Sequence, residues 1–418
     1  MENGDSVTIE LQALLKKTPL IETKSFSIYK VPDQIRQSNV EAYTPMLVSI
    51  GPLHHDDPRL QKMEDYKLLY YKYFTQISNA SLPELVSCVR KLEPRIRASY
   101  SEKINLTADE FVKMILVDSA FIIELFFRVK WKKDDVILSQ PWLLIRIAYD
   151  LILLENQLPF FVLEELYNLA YALVVTNGGH EFSLMHLAVS FFSFILNNPP
   201  EPAHDSSILH FTDMIRCLYL KQPSCGRERK QMALSYGANE LSEAGVKFIV
   251  NKPSASHGCI LDMEFKNGTL RIPHIEVHDG TEIWLRNVVA LEQCYYPYKH
   301  YISDYVRFIG QLIRTQKDAG VLIKAGIIDY MIGGGNDLSS VAKLFSDVRN
   351  NMVVTSTSVD YLQICDDMNA YYNHPWHSKM ATLRRDYFTT PWTTVASIAG
   401  IVLLILTVIQ TVCSLLQV

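Results

Sequence analysis

Apolar residues recur at three- and four-residue spacing through Leu60–Tyr73, Leu82–Tyr100 and Glu110–Lys130, where Phe121, Leu125 and Val129 share one stripe. That period predicts helices with a core-facing side. Trp142–Leu158 is almost continuously apolar, yet Arg146, Asp150 and Glu155 interrupt it. It therefore reads as a buried helix of a soluble body, ended or kinked at Pro159, and not as a membrane span. Helical spacing runs on to about Tyr219 and returns from Glu282 through Arg314, in Lys317–Met331 and in Leu338–Val348, with Gly333-Gly334-Gly335 as a connector.

Two stretches break this texture. Phe26–Pro52 mixes Pro32, Pro45, Gly51 and Pro52 with short apolar runs, which suits a short helix followed by an extended loop packed on the body. Between Gly245 and Glu282 the runs VKFIV, ILDMEF and LRIPHIEV alternate, and Asn267-Gly268 sits at a turn position. An Asn-Gly pair between alternating runs is a strong hairpin signal. The predicted fold is mostly α-helical, with a small antiparallel β-hairpin region near 245–280 and one C-terminal transmembrane helix. A flexible N-terminal arm covers 1–24, a helical globular body 25–386 and the transmembrane helix 392–416. The proline-rich NNPPEPAH at Asn197–His204 marks an internal boundary or insertion.

The last segment differs in kind. From Tyr387 onward no Asp, Glu, Lys or Arg occurs, and Val395–Leu416 is dominated by Val, Ile, Leu and Ala. Roughly 20 such residues cross the ~30 Å hydrocarbon core. Tyr387, Phe388 and Trp392 form an aromatic belt, and Arg384 and Arg385 lie just before it, flanking the membrane interface. By the positive-inside rule the body faces the cytosol. Chain order predicts insertion after synthesis of the body, in the manner of a tail anchor.

Composition narrows the function. With 40 basic and 45 acidic residues the net charge is −5, which offers no general field for nucleic acid. Seven cysteines carry no C-x-x-C pair, so reduced, mostly buried thiols are expected, and the N-terminus shows no signal peptide. His54-His55 with Asp56 and Asp57 holds metal-ligand types without a second ligand set at a recognised spacing. His374 and His377 read as part of an interfacial linker. No G-x-S-x-G, phosphate loop or dinucleotide fingerprint occurs. The polar cluster Glu155, Asn156 and Gln157 lies between LILL and LPFF, where burial is expected. It is read as a helix-end hydrogen-bond network, with no chemical partner visible nearby. No catalytic, cofactor-binding or metal-binding residue is assigned, and no cofactor is expected.

Long segments resemble one family in order. They include IYKVPDQIRQSNVEAYTPMLVSIGPLHH at Ile28–His55, DLILLENQLPFFVLEELY at Asp150–Tyr167, IPHIEVHDGTEIWLRNVVALEQC at Ile272–Cys294 and PWTTVASIAGIVLLILTVIQTV at Pro391–Val412. The chain is identified by these as similar to the plant proteins called domain of unknown function 247. It departs at Asp56, where the family often has glycine, and at Ser119-Ala120, where it has Gly-Cys. The resemblance implies a mostly helical plant membrane protein without assigned chemistry. Some members are linked to pollen self-incompatibility in grasses, which implies recognition. The expected function is a tail-anchored, single-pass membrane protein with a non-catalytic interaction or recognition body. Its expected partners are the lipid bilayer, through the C-terminal helix, and a protein still to be identified. The alternative is a tethered enzyme, hydrolase-like in class.

A chain truncated after Asp386 is expected to be soluble and folded, because the apolar span lies outside the helical body. Fractionation with far-UV circular dichroism checks this. An insoluble or unfolded product would show that the span packs into the core.

Overall fold

The computed structural model describes residues 6–17, 26–171, 183–196, 208–220, 226–251, 261–331, 338–350, 352–353, 356–377, 379 and 391–416. The expected arm carries a helix, α1 (Ser6–Lys17), whose Val7, Leu11 and Leu15 are exposed. The short helix α2 (Asp33–Arg36) and two 3-10 turns, Glu41–Tyr43 and Pro58–Met63, interrupt an otherwise extended strap that runs to α3 (Glu64–Ile77). The expected short helix and packed extended segment are both present.

Helices α4 (Leu82–Arg97) and α5 (Ala108–Lys130) start at capping boxes, Ser81 with Glu84 and Thr107 with Glu110. In each, the first-turn carboxylate satisfies an N-terminal amide and complements the helix dipole. From Phe111 to Arg128 every residue of α5 except Lys113 is buried. A helix buried on all sides belongs at the centre of a body, and α3, α4, α7 (Phe160–Ala170) and α8 (Leu184–Leu196) pack around this one. The predicted single stripe understates it.

Before α7 comes α6, which spans only Pro141–Leu151. The helix expected to reach Leu158 stops early, and Pro159 caps the start of α7 instead of ending α6. The reason lies in Glu155, Asn156 and Gln157, whose side chains bond backbone groups of the strap and the loop, a role that a continuing helix would deny them.

The second half holds α9 (Phe211–Tyr219), α10 (Ala238–Glu243), α11 (Thr281–Tyr295), α12 (Tyr301–Leu312), α13 (Gln316–Lys324), α14 (Leu338–Arg349) and α15 (Val359–Asn373). The helical run expected from Glu282 to Arg314 is thus two helices, parted around Pro297. The run expected at Lys317–Met331 ends in a strand. Among the described residues the strands form three small sheets. Glu264–Lys266 and Thr269–Pro273 make the predicted hairpin, with Asn267 at φ 51° and Gly268 at φ 71°. Two successive positive φ values match the twist of a two-residue turn. A Cβ on Gly268 would sit 2.7 Å from the Tyr371 hydroxyl. Lys247–Asn251 adds to this hairpin in parallel, and Ile275–Val277 pairs in parallel with Ile328–Tyr330. Neither parallel pairing was anticipated.

One apolar cluster runs through both halves, from Ile28 to Met368. The boundary expected near 197–204 and the Gly333–Gly335 connector lie outside the described residues, as do Arg384 and Arg385. The last helix, α16 (Pro391–Leu416), contains Trp392 near its start. Its stretch Val395–Leu416, 22 residues long, has no residue buried against the body.

Candidate functional site

The loop between α6 and α7 is buried from Leu151 to Phe160, with Glu155, Asn156 and Gln157 at 2%, 1% and 1% exposure. A buried loop has no ladder, so each backbone group needs another partner. Gln157 supplies several: its amide nitrogen donates to the carbonyls of Leu151 and Leu153, and its oxygen accepts from Phe211. The Asn287 amide oxygen on α11 accepts from the Leu154 amide at 2.9 Å, while its nitrogen donates to the Ala42 carbonyl.

The same loop, with α5 and α6, fastens the strap. Asp150 accepts the amides of Met46, Leu47 and Val48 at 3.0, 2.7 and 2.9 Å. Asn156 accepts from Ile50 and donates to the Val48 carbonyl. Asp118 accepts from Gly51 at 2.8 Å and from the buried Lys67 ammonium at 2.5 Å, and Lys67 also donates to the Ser49 carbonyl. Gly51 adopts φ +73°, and a Cβ there would lie 2.7 Å from the Gln157 carbonyl oxygen. Only glycine fits that approach.

Glu155 closes the strap's two ends onto the body. Its Oε1 accepts from the Val31 amide at 2.8 Å and from Arg36 at 2.5 Å, and its Oε2 lies 3.0 Å from Nε2 of His54. Burial pushes its pKa up, but the His54 hydrogen bond, the Arg36 charge and the Val31 amide together hold it below the ordinary carboxylate value. Asp150 goes the other way: burial pushes its carboxyl up to about 6 against the pull of its three amide donors. For Lys67, burial works against the proton, yet Asp118 and Glu64 together raise its pKa.

Above Glu155 opens a cleft of about 600 Å³, lined in part by Lys30, Asp33, Arg36, His54, Lys103 and Glu155. Both signs of charge face it. The expectation that Glu155 has no chemical partner nearby is corrected, since the strap brings Arg36 and His54 to it from more than 100 residues away. Those partners fill its acceptor positions, so the network reading itself extends from a helix end to the whole strap. His54 and His55 do not share a site: His55 lines a separate hollow with Glu64 and Glu110. His377 stacks on Tyr371 with centroids 4.0 Å apart. Among the described cysteines Cys365 is buried, three are half-buried and Cys413 is exposed. Burial pushes the Cys217 and Cys365 thiols up to about 12.

One dispersed string has the residue types of a hydrolytic triad. The Ser356 hydroxyl lies 3.4 Å from Nε2 of His300, and Nδ1 of His300 lies 3.6 Å from the buried carboxylate of Asp304. Arg227 intervenes. Its Nη2 lies 2.9 Å from Nδ1 and 2.8 Å from the second oxygen of Asp304, and its Nε donates to the Ser356 hydroxyl. In a working triad Nδ1 carries the proton and donates to the carboxylate, which frees Nε2 to accept. The same Nη2 also lies 3.3 Å from Nε2, so the guanidinium sits against both ring nitrogens and occupies the place of the imidazole–carboxylate bond. The arrangement clamps the sheet of Arg227–Glu228 and Thr357–Ser358 onto α12. No spacing in the sequence joins these four residues.

A Glu155→Ala chain should lose on the order of 1–3 kcal/mol at neutral pH, because the Val31 amide and Arg36 lose their buried acceptor. The sign with pH follows from the lowered pKa. The stability contributed by ionised Glu155 is present above the ordinary value of 4.5 and lost as pH falls through the folded value, so the gap between wild type and variant should narrow below about 4.5. Urea denaturation of both chains at several pH values measures it. Equal stability at neutral pH would remove Glu155 from the strap's support.

The family model described as plant protein of unknown function, DUF247, matches residues 28–406. A UPF0481 protein of Arabidopsis thaliana is 29% identical, covering 94% of this chain and 87% of its own length. A putative UPF0481 protein of the same plant is 23% identical over 93% of this chain and 90% of its own. No solved structure matches the chain.

Proposed function

Since this chain belongs to the plant family of unknown function DUF247, we propose that it is a single-pass membrane protein anchored by α16, with its body on the cytosolic face acting as a non-catalytic recognition module for a protein partner. The observation that carries the anchor is the 22-residue apolar stretch Val395–Leu416, none of it buried against the body. A helix that exposes such a surface needs a lipid solvent. The cytosolic placement rests on the basic residues Lys379, Arg384 and Arg385 just before the span. Following the body in chain order, the helix would insert in the manner of a tail anchor.

The non-catalytic reading draws on two arrangements. Glu155 is held ionised with its oxygens occupied by Val31, Arg36 and His54, whereas a catalytic carboxylic acid at neutral pH is kept protonated by a raised pKa. Arg227 lies against both ring nitrogens of His300 and on the Asp304 carboxylate, where a triad would need the imidazole to donate to that carboxylate. The rival, a tethered enzyme of hydrolase-like class, finds among the described residues the Ser356 string, which Arg227 would have to leave before it could work.

Three glycosylation sequons begin at Asn79, Asn105 and Asn267, and all three asparagines are exposed. Expressed in plant cells, the full chain should show no glycosidase-sensitive shift, because the cytosol cannot modify them. Proximity labelling from the body should return a few reproducible proteins. A shift traced to any of these asparagines would place the body on the lumenal side, and enrichment of metabolic enzymes would revive the catalytic reading.

A further inference from the structure

Within α16 most small and polar side chains of the span share one side, interrupted by Leu403, while Ser397 and Cys413 lie about 100° from its centre. Ala396, Gly400, Leu403, Thr407, Gln410 and Ser414 follow one another at alternating steps of four and three. At about 100° per residue they fall within one sector of roughly 80°, and Thr411 borders it. Opposite them the span carries branched aliphatics, including Ile398, Ile401, Ile405, Ile409 and Val412, with Thr394 on that side just before it. A repeat averaging 3.5 keeps one seam facing a partner in a left-handed helix pair, and small residues let the backbones approach.

A second observation concerns the amide. Thr407 and Thr411 donate to the carbonyls of Leu403 and Thr407 in their own helix, each at 2.8 Å, so those hydroxyls are satisfied internally. Gln410 has no such bond among the described residues, and its side chain projects outward. It lies about 22 Å along the helix from Val395 and about 9 Å before Leu416, inside hydrocarbon depth, at ~1.5 Å per residue. Water cannot satisfy it there, and an unpaired amide in hydrocarbon is costly unless another donor and acceptor reach it.

We propose that α16 pairs with α16 of a second copy of this chain, through the seam from Ala396 to Ser414, with the two Gln410 amides hydrogen-bonded across a two-fold axis. An amide carries both a donor and an acceptor, so it is complementary to its own image. A two-fold pair places the same residue of each chain at the same depth, which is the condition this contact needs. The body would then be displayed in pairs on the membrane. This inference rests on the reading of α16 as a membrane span.

The test uses the full chain in isolated membranes, in a Cys413→Ser background. Thr407→Cys lies on the seam and Ile405→Cys on the opposite face, and both are oxidised in place. Thr407→Cys should yield a product of twice the chain mass, while Ile405→Cys and the background should not. Adding Gln410→Leu to Thr407→Cys should weaken association about 3- to 20-fold, the range for one interhelical hydrogen bond. Carbonate extraction of the same samples reports the anchor separately: release into the soluble fraction overturns the membrane reading and this inference with it. Retention with equal crosslinking from both faces, with no crosslink, with a product of another size, or with no effect of Gln410→Leu overturns the pairing alone.

Discussion

Backbone amides that are buried without a strand or helix to receive them are the constraint on which this fold depends. The strap from Tyr29 to Leu53 crosses the body largely in extended form, and its amides at Val31, Met46, Leu47, Val48, Ile50 and Gly51 are received by side chains. The acceptors are Glu155, Asp150, Asn156 and Asp118. Each is buried, and a buried charged acceptor is tolerable only when its lone pairs are filled. Strap and acceptors therefore require each other: without the strap the carboxylates are stranded, and without the carboxylates the strap's amides are.

The acceptors are not equivalent electrically. Glu155, beside His54 and Arg36, is held ionised. Asp150 relies on neutral amides and a more distant Arg146, and burial pushes it up to about 6. Its contribution to stability is fully present below the ordinary 3.8 and falls as pH rises through about 6, the reverse of Glu155. The two ends of the strap thus respond to acid with opposite sign. The cleft of about 600 Å³ is lined by Glu155 together with strap residues from both ends, including Arg36 and His54.

Much of this was legible from pattern. The Asn267-Gly268 turn identified its hairpin because two successive positive φ values demand that chemistry. The central helix α5 and the apolar α16 were visible as runs, and burial at Glu155, Asn156 and Gln157 followed from their apolar flanks. The loop 152–158 was mistaken for helix because a continuous apolar run does not distinguish a buried helix from a buried loop. The parallel pairing of Ile275–Val277 with Ile328–Tyr330 joins segments about 50 residues apart, and no local signal marks such a register. Likewise Arg36 and His54 gave no hint in spacing that they would meet Glu155, since only the folded path of the strap brings them there.

Buried polar groups of this body are committed to holding one long segment in place. The most direct measurement of that commitment is amide hydrogen exchange along the strap in the folded chain. With their acceptors intact, the amides of Met46, Leu47, Val48 and Ile50 should be protected to a degree approaching that of α5, and Asp150→Ala should expose Met46–Val48 selectively. Exchange at these amides as fast as in an exposed loop would contradict the account, because it would mean that the buried carboxylates do not hold the strap.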